Sequence, residues 1–188
     1  MEAFGVSLVA RQARIGDVEA ISRIYNDGIA DRVATFETEA RTPEQIALWF
    51  DGRHPIVVIE DGNGAVVAFA SSSAYRNRAC YAGVAEFSVY VARAHRRSGA
   101  GRHAMSALVE AATAMGFYKL VSRIFPENRA SLALMARMGF REVGTYKRHA
   151  KLDGQWRDCV IVERLLGDAR EKPFADDPEM KLQAMRRQ

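Results

Sequence analysis

The stretch "AEFSVYVARAHRRSGAGRH", residues 85–103, decides the fold of this chain. It begins with an alternating segment rich in β-forming residues, passes through a short basic connector and a glycine-containing turn, and leads into a long amphipathic run. This order predicts a β-strand over residues 84–91, a loop, and an α-helix over residues 102–115. Because one face of the helix is apolar and packs on the core, its first turn adjoins the loop.

The loop before this helix has the features of an anion-binding site. Backbone N–H groups at the start of a helix lack intrahelical partners and lie at the positive end of the helix dipole. Gly99 and Gly101 let the backbone approach a ligand closely, and Arg96, Arg97 and Arg102 add positive charge. The sequence therefore predicts that this loop binds phosphate or a similar anion.

Two known phosphate-binding motifs do not account well for this loop. A P-loop is excluded because no Gly-Lys-Ser/Thr closes the turn. Residues 99–104 satisfy the dinucleotide pattern G-x-G-x-x-A, and Arg123 lies where an NADP-reading arginine would, so an NADP-binding oxidoreductase is an alternative. Against it, the strand ends seven residues before the turn, and no acidic residue is placed to bind the ribose.

Composition limits the class of protein. The chain has 188 residues, of which 48% are hydrophobic and 27% charged, as expected for one soluble domain. We expect a cytoplasmic protein without a signal peptide or a membrane-spanning segment. We also expect no metal site, since Cys80 and Cys159 are too few and too far apart for a zinc site or a disulfide scaffold. The net charge of +4 comes from scattered arginines, so we expect no nucleic-acid partner.

The remaining patterns predict the element order β-α-α-β-β-β-α-β-α-β-β, an α/β fold with an antiparallel run of strands followed by a βαβ unit. Residues 42–45 form a capping box with proline at the first helical position, which predicts a helix reaching about Phe50. Residues 61–64, Asp-Gly-Asn-Gly, predict a hairpin. We assign residues 1–167 to one domain and 168–188 to a charged C-terminal tail.

The loop pattern R-x-x-G-x-G at residues 96–101 resembles the pyrophosphate loop of the GNAT acyltransferases, with Arg97 and Ser98 departing from its usual residues. The resemblance implies the GNAT fold, a mixed, mostly antiparallel sheet flanked by helices, with acetyl-CoA as co-substrate. It also implies that strand amides receive the pantetheine and acetyl carbonyl, that loop amides hold the diphosphate, and that an asparagine at the next βα junction binds the pantetheine arm. The implied cofactor-binding residues are Val89, Tyr90, Val91, Arg96, Arg97, Ser98, Gly99, Ala100, Gly101, Arg102, Asn128 and Ser131.

Acetyl transfer to an amine needs a base, because an ammonium group has no lone pair with which to attack. Glu86 is the candidate catalytic residue, since it is a carboxylate within an otherwise apolar strand, in register with Ser88 and Tyr90. The alternative is a structural glutamate paired with an arginine. Asn128 likewise has a structural alternative as a helix N-cap.

Three further motifs, "ATFET" (34–38), "YRNRACY" (75–81) and "EFSVYV" (86–91), resemble the phosphinothricin N-acetyltransferase branch of GNAT, and "LVSRIFPEN" resembles its arsinothricin-acetylating relatives. The resemblance implies a homodimer that confers resistance by acetylating a glutamate-like amino acid with a γ-phosphinate or arsinate. Arg76 and Arg78, two residues apart at a predicted strand end, are expected to face the same way and clamp the anionic group. The candidate substrate-binding residues are Phe36, Tyr75, Arg76, Arg78, Tyr81 and His149, with Lys151 and Trp156 less strongly indicated.

Two alternatives remain open at this point. The acceptor can be another small amino acid, such as methionine sulfone or sulfoximine, since their polar oxygens suit the same arginines. The chain can also be a non-catalytic acyl-CoA sensor, which burial of Glu86 in a salt bridge would favour. The proton for the leaving thiolate has no assigned donor: the helix after Asn128 lacks a tyrosine, which leaves Tyr146 or solvent.

Overall fold

The structure, a computed structural model, describes residues 7–170. Its strands and α-helices follow one another in the predicted order. They are β1 (Val9–Gln12), α1 (Val18–Ala30), α2 (Pro43–Ala47), β2 (Ile56–Glu60), β3 (Val66–Ala74), β4 (Val84–Val91), α3 (Ala100–Ala114), β5 (Lys119–Ile124), α4 (Arg129–Arg137), β6 (Arg141–Leu152) and β7 (Gln155–Leu165).

The strands form one seven-stranded sheet in the order β1-β2-β3-β4-β5-β7-β6. All neighbouring strands are antiparallel except β4 and β5, which are parallel and joined through α3. The predicted mixed, mostly antiparallel sheet is therefore confirmed. The strand predicted over 84–91 lies at its centre.

Helices cover the sheet on both faces. On one face α3 buries Ala104, Met105 and Leu108 completely against the sheet. On the other face α1 and α2 pack through Ile21, Ile24 and Ile46. The 3.6-residue periodicity of α1 and α3 thus matches the faces that they bury.

The helix predicted to reach Phe50 is shorter than expected. The capping box is present, since Thr42 Oγ1 accepts from Gln45 N at 3.4 Å and Gln45 Oε1 accepts from Thr42 N at 3.0 Å. The helix nevertheless ends at Ala47. The chain then turns so that Trp49 packs edge-to-face on Tyr25 at 5.1 Å, and the burial of two large rings outweighs one further helical turn.

The final hairpin is longer than its sequence patterns, "FREVGTY" (140–146) and "DCVIVERLL" (158–166), predict. Strands β6 and β7 extend to a two-residue turn at Asp153 and Gly154, which have φ angles of 47° and 78°. Positive φ at both positions is typical of a type I′ hairpin turn. The segment 149–158 belongs to this hairpin. Its polar residues near the turn hide the strand pattern in the sequence.

The predicted tail, residues 168–188, lies mostly outside the described residues. Its first three residues belong to a 3₁₀ turn, Gly167–Arg170, and nothing is described beyond it. Within residues 7–170, no helix is long and apolar enough to cross a membrane.

Gly28 provides a test of the packing between α1 and β4. A Cβ at Gly28 would lie 2.5 Å from the ring of Tyr90, which is itself fixed between Tyr25 and Phe69. We expect Gly28→Ala to lower the free energy of unfolding by about 1–3 kcal/mol through overpacking, although alanine favours the helix. Denaturant unfolding measures the change. Gly16→Ala is the control, because nothing lies within 4 Å of that Cβ position, and equal effects of the two variants would contradict the packing argument.

Candidate active site

The site is built around a separation of β4 from β5. The two strands pair only from Val84↔Lys119 to Glu86↔Val121, although β4 continues to Val91 and β5 to Ile124. Beyond Glu86, β4 pairs only with β3 among the described strands. By strand alternation the backbone groups that point away from β3 include those of the predicted positions Val89 and Val91, and these are left for a ligand. The backbone of Tyr90 points towards β3 instead, as does that of Ala92, whose amide donates to the carbonyl oxygen of Val67 at 2.8 Å.

The predicted anion-binding loop lies directly after this separated strand. The amides of Arg97, Gly99 and Gly101 make no hydrogen bond with any described residue, and residues 96–99 are exposed. Gly99 has a φ of +93° and is the N-cap of α3, which starts at Ala100. Free amides at a helix start fit the diphosphate expected there.

Other loop residues fix its shape. Ser98 Oγ donates to the carbonyl oxygen of His95 at 2.6 Å. At Gly101, a Cβ would lie 3.3 Å from Leu134 and 3.4 Å from Val91, so this glycine allows α3 to approach β4 closely. Arg102 is exposed on the first turn of α3.

Arg96, predicted to contact the cofactor, is held by Asp31 at the end of α1. Arg96 Nη2 donates to Asp31 Oδ2 at 2.5 Å, and Arg93 Nη2 donates to Asp31 Oδ1 at 2.7 Å. Burial disfavours the charged Asp31 carboxylate, but the hydrogen bonds from Arg93 and Arg96 outweigh this effect and lower its pKa. Arg96 thus ties the loop to α1 in this structure.

Asn128 is the N-cap of α4, as its structural alternative predicted. Its Oδ1 accepts from the amide of Ser131 at 3.2 Å, and its Nδ2 donates to the carbonyl oxygen of Val33 at 3.2 Å. The side chain therefore joins α4 to the segment after α1. A contact of Asn128 and Ser131 with a pantetheine arm stays a prediction.

A cleft of about 840 Å³ opens in front of the separated strands. The segment 34–41 forms one wall, and β4 and β5 contribute to its floor. Among the residues that the sequence indicated, Phe36, Glu86, Tyr90 and His149 line it. Phe36 packs edge-to-face on Phe125 at 4.9 Å.

Glu86 is paired with Arg123 on the floor of the cleft. Arg123 Nε donates to Glu86 Oε1 at 3.0 Å, and Nη2 contacts the same oxygen. The Glu86 side chain remains 27% exposed and that of Arg123 45% exposed. Glu86 Oε2 makes no hydrogen bond with any residue of the described chain. The arginine partner was predicted as the structural alternative, but the carboxylate is accessible to a ligand.

Two site residues were missed as such by the sequence analysis. Arg123 was considered only as an NADP-reading residue, yet it lies two residues beyond Val121, the partner of Glu86, and hence on the same face. Tyr25 lines the cleft from α1 beside Tyr90. Burial raises the pKa of both phenols.

The predicted arginine clamp is not part of this cleft. Strand β3 ends at Ala74, so Arg76 and Arg78 lie in a loop, and the argument that strand geometry aligns them was wrong. With Tyr75 and Tyr81 they line a separate hollow of about 160 Å³. Tyr75 packs edge-to-face on Tyr81 at 5.6 Å, and Arg76 lies over the ring of Tyr75 at 5.4 Å.

The remaining candidates lie on the final hairpin. Tyr146 stacks on His149 at 5.0 Å and is 52% exposed. Lys151 lies over the ring of Trp156 at 4.9 Å, and neither lines the cleft. Across residues 7–170, no group of three or more His, Cys, Asp or Glu side chains is arranged to hold a metal ion.

Comparison with known proteins identifies the family of this chain. Residues 21–140 match the family model described as "Acetyltransferase (GNAT) family". The protein of Bacillus subtilis (strain 168) named "Putative phosphinothricin acetyltransferase YwnH" is 36% identical over 162 residues, covering 85% of this chain and 99% of YwnH. An L-methionine sulfoximine/L-methionine sulfone acetyltransferase of Pseudomonas paraeruginosa is 33% identical, covering 89% of this chain and all of the relative.

A solved structure of a related protein has the same fold. The GNAT superfamily phosphinothricin acetyltransferase of Sinorhizobium meliloti, in complex with acetyl-CoA, superposes with a TM-score of 0.81 at 32% identity, covering 93% of this chain and 96% of that one. The fold and the family expected from the loop and the separated strand are thereby confirmed. This chain belongs to the GNAT family of acetyltransferases.

Proposed function

We propose that this protein transfers the acetyl group of acetyl-CoA to the α-amine of a small amino acid, by direct transfer with both substrates bound. The observation that carries the proposal is the position of Glu86, on the floor of a cleft that opens where β4 leaves β5, on the strand that leads into the loop with free amides. Donor and acceptor sites thus meet along one strand. No covalent intermediate on the protein is required.

Acetyl-CoA supplies an acyl group activated as a thioester. The amides of Arg97, Gly99 and Gly101 would hold its diphosphate, and the free side of β4 at Val89 and Val91 would hold the pantetheine arm and polarise the acetyl carbonyl. The exposed side chains of Arg97 and Arg102 add positive charge nearby. The donor set of this chain therefore fits the co-substrate.

Glu86 is proposed as the general base. The acceptor amine is protonated in water near neutral pH and must lose a proton before it attacks. Glu86 Oε2 is free to take that proton directly or through a water molecule, while Oε1 is held by Arg123. Tyr25 and Tyr90, which line the cleft, join the earlier candidates Tyr146 and solvent as proposed proton donors. Burial raises the pKa of both phenols and so makes them weaker acids.

The acceptor is proposed to be a toxic glutamate-like amino acid such as phosphinothricin or arsinothricin, or methionine sulfoximine or sulfone. The names of the two relatives support this class. Phe36 offers an apolar surface for the methylene chain. Arg76 and Arg78 stay the proposed clamp for the anionic group, supported by their exposure on the loop that follows Ser73 of the cleft. Resistance to the toxin, in the reducing cytoplasm, is the proposed outcome.

One observation favours a second function. The salt bridge between Glu86 and Arg123 is the arrangement expected of a non-catalytic acyl-CoA sensor. The exposure of Glu86 and its free Oε2 favour the enzyme, because a purely structural glutamate would not need an accessible oxygen in a cleft. An activity assay separates the two functions.

We expect Glu86→Gln to lower kcat about 10²- to 10³-fold, because general-base catalysis contributes an effect of about this size. Thiol release from acetyl-CoA is measured with phosphinothricin, arsinothricin, methionine sulfone and glutamate. Glu163→Gln is the matched control, since Glu163 is also a strand carboxylate paired with an arginine but lies outside the cleft. Full activity of the Glu86→Gln variant would show that Glu86 is not the general base. Binding of acetyl-CoA without turnover by the wild type would favour the sensor.

The second expectation concerns the anion-binding loop that follows β4. Asp31→Asn should raise the KM for acetyl-CoA about three- to tenfold while kcat changes little, because the charge that holds Arg93 and Arg96 is lost. Steady-state kinetics with acetyl-CoA varied give both constants. Asp27→Asn, which affects only Arg93, is the matched control and should change KM less. An unchanged KM in Asp31→Asn would show that the loop holds its shape without this pair.

We also propose a homodimer that pairs through β6. Residues 141–149 of this sheet-edge strand are all exposed, including Val143 and Tyr146. An exposed edge of this length readily pairs with another strand, and the second copy is the proposed partner. We expect light scattering to give twice the chain mass, and Val143→Lys to shift the protein towards monomer. A monomer mass for the wild type across micromolar concentrations would contradict the dimer.

A further inference from the structure

The pairing of Glu86 with Arg123 can serve substrate binding as well as the orientation of a base. We propose that Arg123 is the anchor for the α-carboxylate of the acceptor amino acid, so that Glu86 and Arg123 together form a site for its zwitterionic head. This inference rests on the proposed function. It names a specificity-determining residue and a chemical requirement of the acceptor, a free α-carboxylate.

The geometry of the pair matches an amino acid. In a free α-amino acid the ammonium and the carboxylate are attached to the same carbon, so the groups that bind them must be adjacent. Glu86 and Arg123 are in direct contact, with Arg123 Nε 3.0 Å from Glu86 Oε1, and both line the cleft. An acceptor that lies across the pair presents its ammonium to Glu86 and its carboxylate to Arg123.

Each member of the pair keeps unused hydrogen-bonding capacity. Arg123 contacts Glu86 through Nε and Nη2, and its Nη1 makes no hydrogen bond with residues 7–170. Glu86 likewise has Oε2 free, and both side chains are partly exposed. A guanidinium edge is well suited to a carboxylate. Because the bound zwitterion brings both charges, neither Glu86 nor Arg123 is left without a counter-charge.

The other guanidinium in the cleft does not offer the same arrangement. Arg41 Nη2 donates to Glu37 Oε2 at 2.6 Å, on the wall formed by residues 34–41. A carboxylate bound at Arg41 would place the amine beside Glu37 rather than beside the base. Arg76 and Arg78 line the separate hollow, and their proposed role concerns the opposite end of the acceptor.

The anchor predicts which amines are poor acceptors. Amino acid amides, simple alkylamines and peptide N-termini all lack the α-carboxylate, and the Arg123 guanidinium would gain nothing from them. Loss of a hydrogen bond to a charged group corresponds to roughly a 10- to 100-fold loss of kcat/KM. The wild type should therefore prefer methionine sulfone over methionine sulfone α-carboxamide by a factor of that order.

The experiment compares these two acceptors in wild type, Arg123→Gln and Arg123→Lys, by thiol release from acetyl-CoA. In Arg123→Gln we expect kcat/KM for the free acid to fall about 10- to 100-fold, with a much smaller change for the carboxamide, so that the preference nearly disappears. The ratio cancels any general effect on Glu86 or on amine reactivity. Arg123→Lys keeps the charge and should restore part of the preference.

Arg141→Gln is the matched control, because Arg141 also pairs with a strand glutamate, Glu163, outside the cleft, and it should keep the wild-type preference. An equal fall on both acceptors in Arg123→Gln and in Arg123→Lys would overturn the anchor and leave Arg123 as a positioning residue for Glu86. Thermal unfolding and coenzyme A binding verify that each variant is folded. If the wild type acetylates no amino acid, the proposed function itself fails, and the anchor fails with it.

Discussion

The architecture of the site depends on the early end of the β4–β5 ladder. Had the pairing continued beyond Glu86↔Val121, every backbone group of residues 87–91 would be satisfied within the sheet, and no cleft would open between the strands. A parallel pair cannot separate without leaving polar groups unpaired, which is costly unless water or a ligand replaces them. The sheet therefore gives up hydrogen bonds at its centre, where the flanking helices stabilise it on both faces.

Side chains from other elements hold the chain that leads into the cleft wall formed by residues 34–41. Asn128 at the start of α4 holds Val33, and Arg32 donates to the carbonyl oxygen of Ile29 at 3.1 Å and pairs with Asp153 of the final hairpin at 3.0 Å. This wall is thus attached to elements far away in the sequence. Glu86, in contrast, is placed by the regular geometry of β4 and by its pairing with Arg123 of the neighbouring strand.

The sequence predicted most of the fold because local signals were strong. The strand over 84–91, the capping box at Thr42 and the hairpin at residues 61–64 each depend on contiguous residues, and all three are present. The errors arose where distant contacts decide the conformation. Tertiary packing of Trp49 shortened α2, and the end of the β3–β4 ladder placed Arg76 in a loop. For the same reason the partners of Glu86 and Arg96, residues 37 and 65 positions away, could not be read from their neighbours.

Asp31 has a consequence for how the two substrates influence each other. It is the C-cap of α1, three residues before the cleft wall of residues 34–41, and its carboxylate holds Arg93 and Arg96, which precede the anion-binding loop. One carboxylate therefore lies between the cleft and the loop that are proposed to bind the two substrates. Thermodynamic linkage makes any such influence reciprocal: if occupation of one site tightens the other by a given factor, the reverse holds by the same factor. Under the proposed function, Asp31 is therefore a residue through which donor binding and acceptor binding would be coupled.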